Sequence, residues 1–293
     1  MKNLKGVLLI SLAAVCYGVM PIFTRIAYAN HAGIGQTLFL RFLIAVLLYF
    51  IMLVFSDGLD KLRISRQGLL AAFIAGALFG ATSITFYQAL YILPVSKAEI
   101  LYFTYPVVVM VLSTVFYKEK TTIRKLLCVL ILFTGIVFVV KGDEGSVPLR
   151  GIFMAVLASV FYALYILLCT HPVVRAMDKR AFTFYTLCVL TGIFLAAAAK
   201  MEGLRFQISA NGYIAIVVIA VFCTLIALTS FSMGAQYLTP THIAVVASIE
   251  PIVTIISGDI FLKEAFTLNS MIGSGMIVLS IIFINRSQIR EKV

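Results

Sequence analysis

The stretch Tyr105–Glu119, YPVVVMVLSTVFYKE, returns 145 positions later as Glu250–Glu264, EPIVTIISGDIFLKE. Each copy opens on a proline, continues as an apolar run and closes on Lys-Glu. The same shift lays Gly6 on Gly151, Tyr17 on Tyr162, Phe39 on Phe184 and Phe86 on Phe231, with no gap. The chain therefore reads as a tandem repeat with units 1–145 and 146–293.

Outward from this repeat the whole chain is apolar. Of its 293 residues 62% are hydrophobic and 12% charged, whereas soluble domains carry about 25% charged residues. Water cannot be the solvent of such a surface. In a bilayer the backbone must satisfy itself, and unbroken apolar runs of about 20 residues do so as helices. Ten runs are long enough, at 5–27, 34–55, 68–92, 98–117, 123–140, 149–170, 181–199, 211–236, 243–262 and 268–285. The expected fold is an all-α integral membrane protein of ten transmembrane helices arranged as two five-helix repeats. Five spans per unit invert the second copy, and inverted repeats are the build of secondary transporters.

The connections are too short for a nucleotide-binding domain. The phosphate-loop, H-E-x-x-H and G-x-S-x-G patterns are missing, which argues against an enzyme, a metal site or a cofactor. Cys16, Cys128, Cys169, Cys188 and Cys223 fall within predicted helices and read as small packing residues. Lys2 and Lys5 before the first run imitate a secretory signal, but the run is too long and no A-x-A site ends it.

The net charge of +11 orients the chain and does not imply a nucleic-acid partner. With the N-terminus inside, cytoplasmic segments hold fifteen of the 23 Lys and Arg and outer segments seven, with Arg41 left inside the second span. By the positive-inside rule both termini are expected in the cytoplasm, in the cytoplasmic membrane.

The segment from Ala98 to Val107, with Pro106, Lys118-Glu119 and Gly135, and its copy from Ile243 to Ile252, with Pro251, Lys263-Glu264, Gly273 and Gly275, resemble the repeat signature of the EamA family. That family lies in the drug/metabolite transporter superfamily. The resemblance covers essentially the whole chain. It implies a ten-helix inverted-repeat fold, no ATP hydrolysis, and movement of small metabolites or drugs, often outward. It leaves the substrate open. The first unit departs from the second by carrying Tyr105 where the second has Glu250, and keeps Glu99 six positions earlier.

Ionisable groups at membrane depth are costly unless paired or wetted, so each is a candidate site. Glu250 precedes Pro251 on a face of small and hydroxyl residues. It reads as a proton or cation site, or as a glutamate satisfied by a neighbouring helix. Arg41 suits the carboxylate of a substrate, or a partner such as Glu250 or Glu99. Lys97 and Glu99 are expected as rim or gate charges, with a central substrate or coupling site as the alternative for Glu99. Gln88 and Ser232 bring polar groups inward. Tyr17, Tyr102, Tyr105 and Tyr162 suit pocket walls, with core packing as the alternative. Pro106 and Pro251 are candidate hinges, and Pro21 a kink.

The resulting expectation is a secondary transporter that exports amino acids or similar small metabolites by alternating access, with the halves rocking about a central cavity. Its partners would be a small-molecule solute, the lipid bilayer and, as a candidate coupling ion, protons. An uncoupled facilitator or a drug or sugar-derivative transporter on the same fold is the nearest alternative; a membrane enzyme or a channel is more remote. Oligomeric state stays open.

Overall fold

The computed structural model describes residues 2–56, 62–117, 123–141, 148–171, 174, 177–203, 206–234, 237, 246, 249–263 and 268–290. Lys118, Glu119, Gln236, His242 and Glu264 lie outside the described residues, as do the side chains of Cys128 and Ser232. The described elements are all helical. They are α1 (Lys2–Ala29), α2 (Ile34–Ser56), α3 (Arg66–Ile92), α4 (Val95–Tyr102), α5 (Tyr105–Tyr117), α6 (Ile123–Lys141), α7 (Leu149–Thr170) and α8 (Lys179–Met201). There follow α9 (Ala210–Ala220), a π-helical turn (Val221–Ile226), α10 (Ala227–Gly234), α11 (Ile249–Leu262) and α12 (Leu268–Arg290). Among the described residues seven helical segments are long and apolar enough to cross a membrane.

Helix starts follow the local chemistry. Ser65 accepts the Gly68 N–H at 3.1 Å to begin α3, and Asp178 accepts the Arg180 N–H at 2.8 Å to begin α8. These side-chain oxygens satisfy donors that the first helical turn leaves orphaned. Large apolar side chains stand exposed in stripes, such as Leu8, Leu12 and Val15 on α1 and Leu130, Phe133 and Val137 on α6. A surface of this kind suits lipid. The interior takes alanines instead, including Ala13, Ala72, Ala75, Ala158 and Ala198, whose small side chains let helices approach.

Two interruptions differ from the sequence expectation. The fourth span is not continuous. It breaks at Phe103–Thr104, where the Phe103 N–H reaches the Glu99 carbonyl and the Thr104 hydroxyl reaches the Leu101 carbonyl. Pro106 lacks a donor and disfavours helical geometry at Tyr105, so the chain restarts as α5 with the proline in its first turn. The equivalent Pro251 lies within the described helix α11 (Ile249–Leu262). The eighth span carries the π-helical turn, while its counterpart 76–81 lies within regular α3. Pro21, expected as a kink, sits inside α1, which runs on through it to Ala29.

Helix packing exchanges the two halves. Equivalent helices α2 and α8 lie antiparallel, since Gly35 meets Ala198, Phe42 stacks on Phe194 at 5.1 Å and Phe50 meets Phe184 at 5.8 Å. The central core, with Phe42, Tyr49, Leu90, Leu190 and Phe194, gathers around this pair and α3. Around it stand two groups of mixed origin. In one, α7 packs along α3, α4 and α5; in the other, α1 packs along α9, α10 and α11. Glycines allow close packing in both groups: Gly151 meets Leu93, and Gly234 meets Ile10. A close backbone approach of α6 to α12 at Gly135 and Gly273 completes the bundle, so Gly273 serves packing within the chain.

Candidate functional site

The two mixed groups face each other across a cluster of tyrosines and carboxylates. On one side, α1 and α11 meet backbone to backbone. A Cβ on Gly18 would lie 2.7 Å from the Glu250 carbonyl oxygen, and the Thr254 hydroxyl donates to the Gly18 carbonyl at 2.8 Å. This contact holds Tyr17 and Glu250 side by side at the start of α11. On the other side, Tyr102, Tyr105 and Tyr162 pack ring against ring. Their centroids stand 5.7 Å (Tyr102–Tyr105), 5.5 Å (Tyr102–Tyr162) and 4.8 Å (Tyr105–Tyr162) apart. Phe86 backs Tyr102 at 4.6 Å, while Phe79 backs Tyr162 and Tyr165.

Glu250 lies within electrostatic reach of Glu99, and its field acts on Tyr17, Tyr102, Tyr105 and Tyr162. These four tyrosines and Glu250 are enclosed by protein yet keep part of their surface accessible. They lie where α1, α4, α7 and α11 pack together. Glu99 is 2% exposed and Lys97 3%, so neither is the rim charge expected from the sequence; Glu99 belongs to the interior group.

Pro21, inside α1, and Pro106, in the first turn of α5, each lack a backbone N–H. The Val107 and Val108 N–H groups both bond the Thr104 carbonyl, at 3.0 and 3.3 Å, and the Thr104 hydroxyl contacts Ser159 Oγ at 3.1 Å.

Arg41 is 5% exposed. Its Nε donates to Thr224 Oγ1 at 2.9 Å and its Nη1 to the Tyr87 hydroxyl at 2.8 Å. The guanidinium also lies over the Phe42 ring at 5.0 Å. Its hydrogen-bond partners are neutral hydroxyls rather than Glu250 or Glu99. Thr224 sits in the π-helical turn, where its hydroxyl also bonds the Ile219 carbonyl at 3.0 Å. Single π turns are frequent at functional sites, and this one aims a hydroxyl at a buried charge. Tyr17 lies within electrostatic reach of both Arg41 and Glu250.

The structure thus assembles Glu250, Glu99, Tyr17, Tyr102 and Tyr162, with Arg41 adjoining. Gln88 is half-buried one residue beyond Tyr87, and no contact ties it to the tyrosine group among the described residues. Tyr87, Thr224 and Phe79 were missed. Tyr87 carries the signal of a hydroxyl aromatic in a buried span, whereas nothing in Val221–Ile226 announces a π turn.

Against known proteins, the chain matches the EamA-like transporter family twice, over residues 4–141 and 149–286. The chain belongs to that family. The family lies in the drug/metabolite transporter superfamily. Among its relatives is an uncharacterized transporter of Archaeoglobus fulgidus, 28% identical over 287 residues, covering 93% of this chain and 95% of the relative. The uncharacterized transporter YcbK of Bacillus subtilis is 25% identical over 281 residues, covering 92% and 89%. A crystal structure described only as that of a protein shares the fold, with a TM-score of 0.67 at 15% identity, over 98% of this chain and 99% of that one. This EamA-like chain is therefore a multi-pass membrane transporter.

Proposed function

We propose that this transporter is a secondary, ATP-independent exporter of amino acids or similar small metabolites that works by alternating access. The observation carrying the reading is the position of the Glu250–tyrosine site at the seam between the two mixed helix groups. A ligand held there touches both bodies, and a change in their angle would expose it to one side or the other. The antiparallel α2–α8 pair supports two inverted repeats related by an axis in the membrane plane. The packing favours rocking of mixed groups, each with helices from both halves, over rocking of one sequence half against the other. Pro106 and Pro251, at the restarts α5 and α11, are the proposed hinges. Glu250 is the proposed proton carrier if export is coupled; transport that ignores a pH gradient would leave the uncoupled facilitator.

With both termini in the cytoplasm, the ends of α1 and α3 near Tyr28 and Leu93 lie at the outer face. There the groups touch. Arg25 Nη2 donates to the Leu93 carbonyl at 2.5 Å, the Tyr28 hydroxyl donates to the Tyr87 carbonyl at 3.1 Å, and the Tyr28 and Tyr91 rings stand 5.5 Å apart. These contacts are the proposed outer gate. Tying Tyr28→Cys to Tyr91→Cys with a short thiol cross-linker, in a chain whose other cysteines are replaced, tests it. Transport in liposomes should stop on cross-linking and not on modification of either single variant. Undiminished flux through the cross-linked protein would refute the alternation.

A further inference from the structure

The chemistry of the seam site selects a charge sign for its ligand. Resting on the transport reading above, we propose that the site recognises the ammonium group of an organic amine, whose apolar stem lies against the tyrosine and phenylalanine rings. Four tyrosines supply π faces and hydroxyl oxygens, and three of them form a wall with centroid separations of 4.8 to 5.7 Å. A cation over such faces gains about 0.5–2 kcal/mol, more when water is excluded. Two carboxylates, Glu99 and Glu250, come from opposite sides of the seam, on α4 and α11.

The usual device for an anion at membrane depth is the N-terminus of a broken helix. Here the α5 start is spent. Pro106 has no N–H, and the Val107 and Val108 donors are held by Thr104. At α11 the first turn carries Glu250 itself. Arg41, the nearby positive group, has two of its nitrogens engaged by Thr224 and Tyr87. An anion entering between the two carboxylates would meet repulsion, whereas an ammonium would find an acceptor on each side of the seam, Glu99 on α4 and Glu250 on α11; the buried cations are Arg41, held as above, and Lys97, two residues before Glu99. A carboxylate on the substrate is then tolerated on the Arg41 side and not required.

Matched ligand pairs test the sign without altering the protein. Titration calorimetry on the purified full chain in nanodiscs would compare phenethylamine with 3-phenylpropionate, and butylamine with pentanoate. Each pair keeps its stem and exchanges ammonium for carboxylate. The amine of each pair should bind at least about tenfold tighter, a difference of about 1.4 kcal/mol, with phenethylamine ahead of butylamine. Tyr102→Leu should erase the advantage of the phenyl stem, so that phenethylamine no longer binds ahead of butylamine. A carboxylate that binds as tightly as its amine, or two amines that fail to bind, would overturn the inference. In either case counterflow of an acidic or neutral solute would leave the transport reading standing, whereas no counterflow of any solute class would count against that reading itself.

Discussion

Replacing Glu202 with alanine should loosen the junction between the two halves at one end of the bundle. Glu202 caps the end of α8 and extends its carboxylate across to the start of α2, where Oε1 accepts the Gly35 N–H at 2.9 Å. The N–H groups of Ile34 and Gln36 also face it, and Oε2 is buried. Gly33 and Gly35 make the room: a Cβ on Gly35 would lie 2.6 Å from Oε2 and 2.8 Å from the Ala198 backbone, and one on Gly33 would strike the Glu202 side chain. Burial, which outweighs the surrounding N–H groups, raises the Glu202 carboxyl above the ordinary glutamate range. Ionisation is therefore not the source of its stabilisation; the hydrogen bond is. Leaving that donor without its partner costs about 1–3 kcal/mol, or roughly 2–6 °C in the unfolding midpoint for a chain of this size. Thermal unfolding of the purified protein in detergent measures it. Gly33→Ala should displace the carboxylate and give a loss of similar size, and the double variant should lose less than the sum, because both remove one interaction. A Glu202→Ala protein within about 0.5 kcal/mol of wild type, or full additivity, would refute the junction.

The same group fixes a pH slope. Its native pKa is raised, so the folded protein binds the proton more tightly than the unfolded chain. Its contribution is full below the ordinary glutamate pKa and declines as pH rises through the raised value; Glu202→Gln should flatten that part of the stability–pH curve. Gly18→Ala places a methyl 2.7 Å from the Glu250 carbonyl and should cost about 1–3 kcal/mol by overpacking, with transport falling further than stability explains; normal flux and stability would deny the close approach. Arg41→Lys keeps the charge but cannot hold Thr224 and the Tyr87 hydroxyl with one fork. It should destabilise by about 1.5–3 kcal/mol, read from the unfolding midpoint, and a neutral outcome would make the π-turn contact dispensable.

Much of this was legible in the chain. The duplicated Pro-to-Lys-Glu stretch anticipated an apolar helix around each copy, α5 and α11. Glu250 and the buried tyrosines stood out as polar groups within apolar runs, and they converge. The sequence was silent where distant partners decide. Glu202 meets α2 across 167 residues, and no local pattern records it. Thr224 gains its role from a π turn whose residues look like any apolar helix. Lys97 and Glu99 lie near a span end, which suggested a rim; the packing of α4 against α7 and α11 buries them instead.

The most direct measurement is counterflow in liposomes that contain purified protein and unlabelled amine-bearing metabolites, amino acids among them, with single labelled ones added outside. Alternating access should give transient accumulation of at least one label, and Glu250→Gln should lose proton-driven net transport with exchange retained. Full proton-driven transport by Glu250→Gln would contradict its role in coupling. Label that only equilibrates through wild-type protein at rates that do not saturate would contradict alternating access altogether.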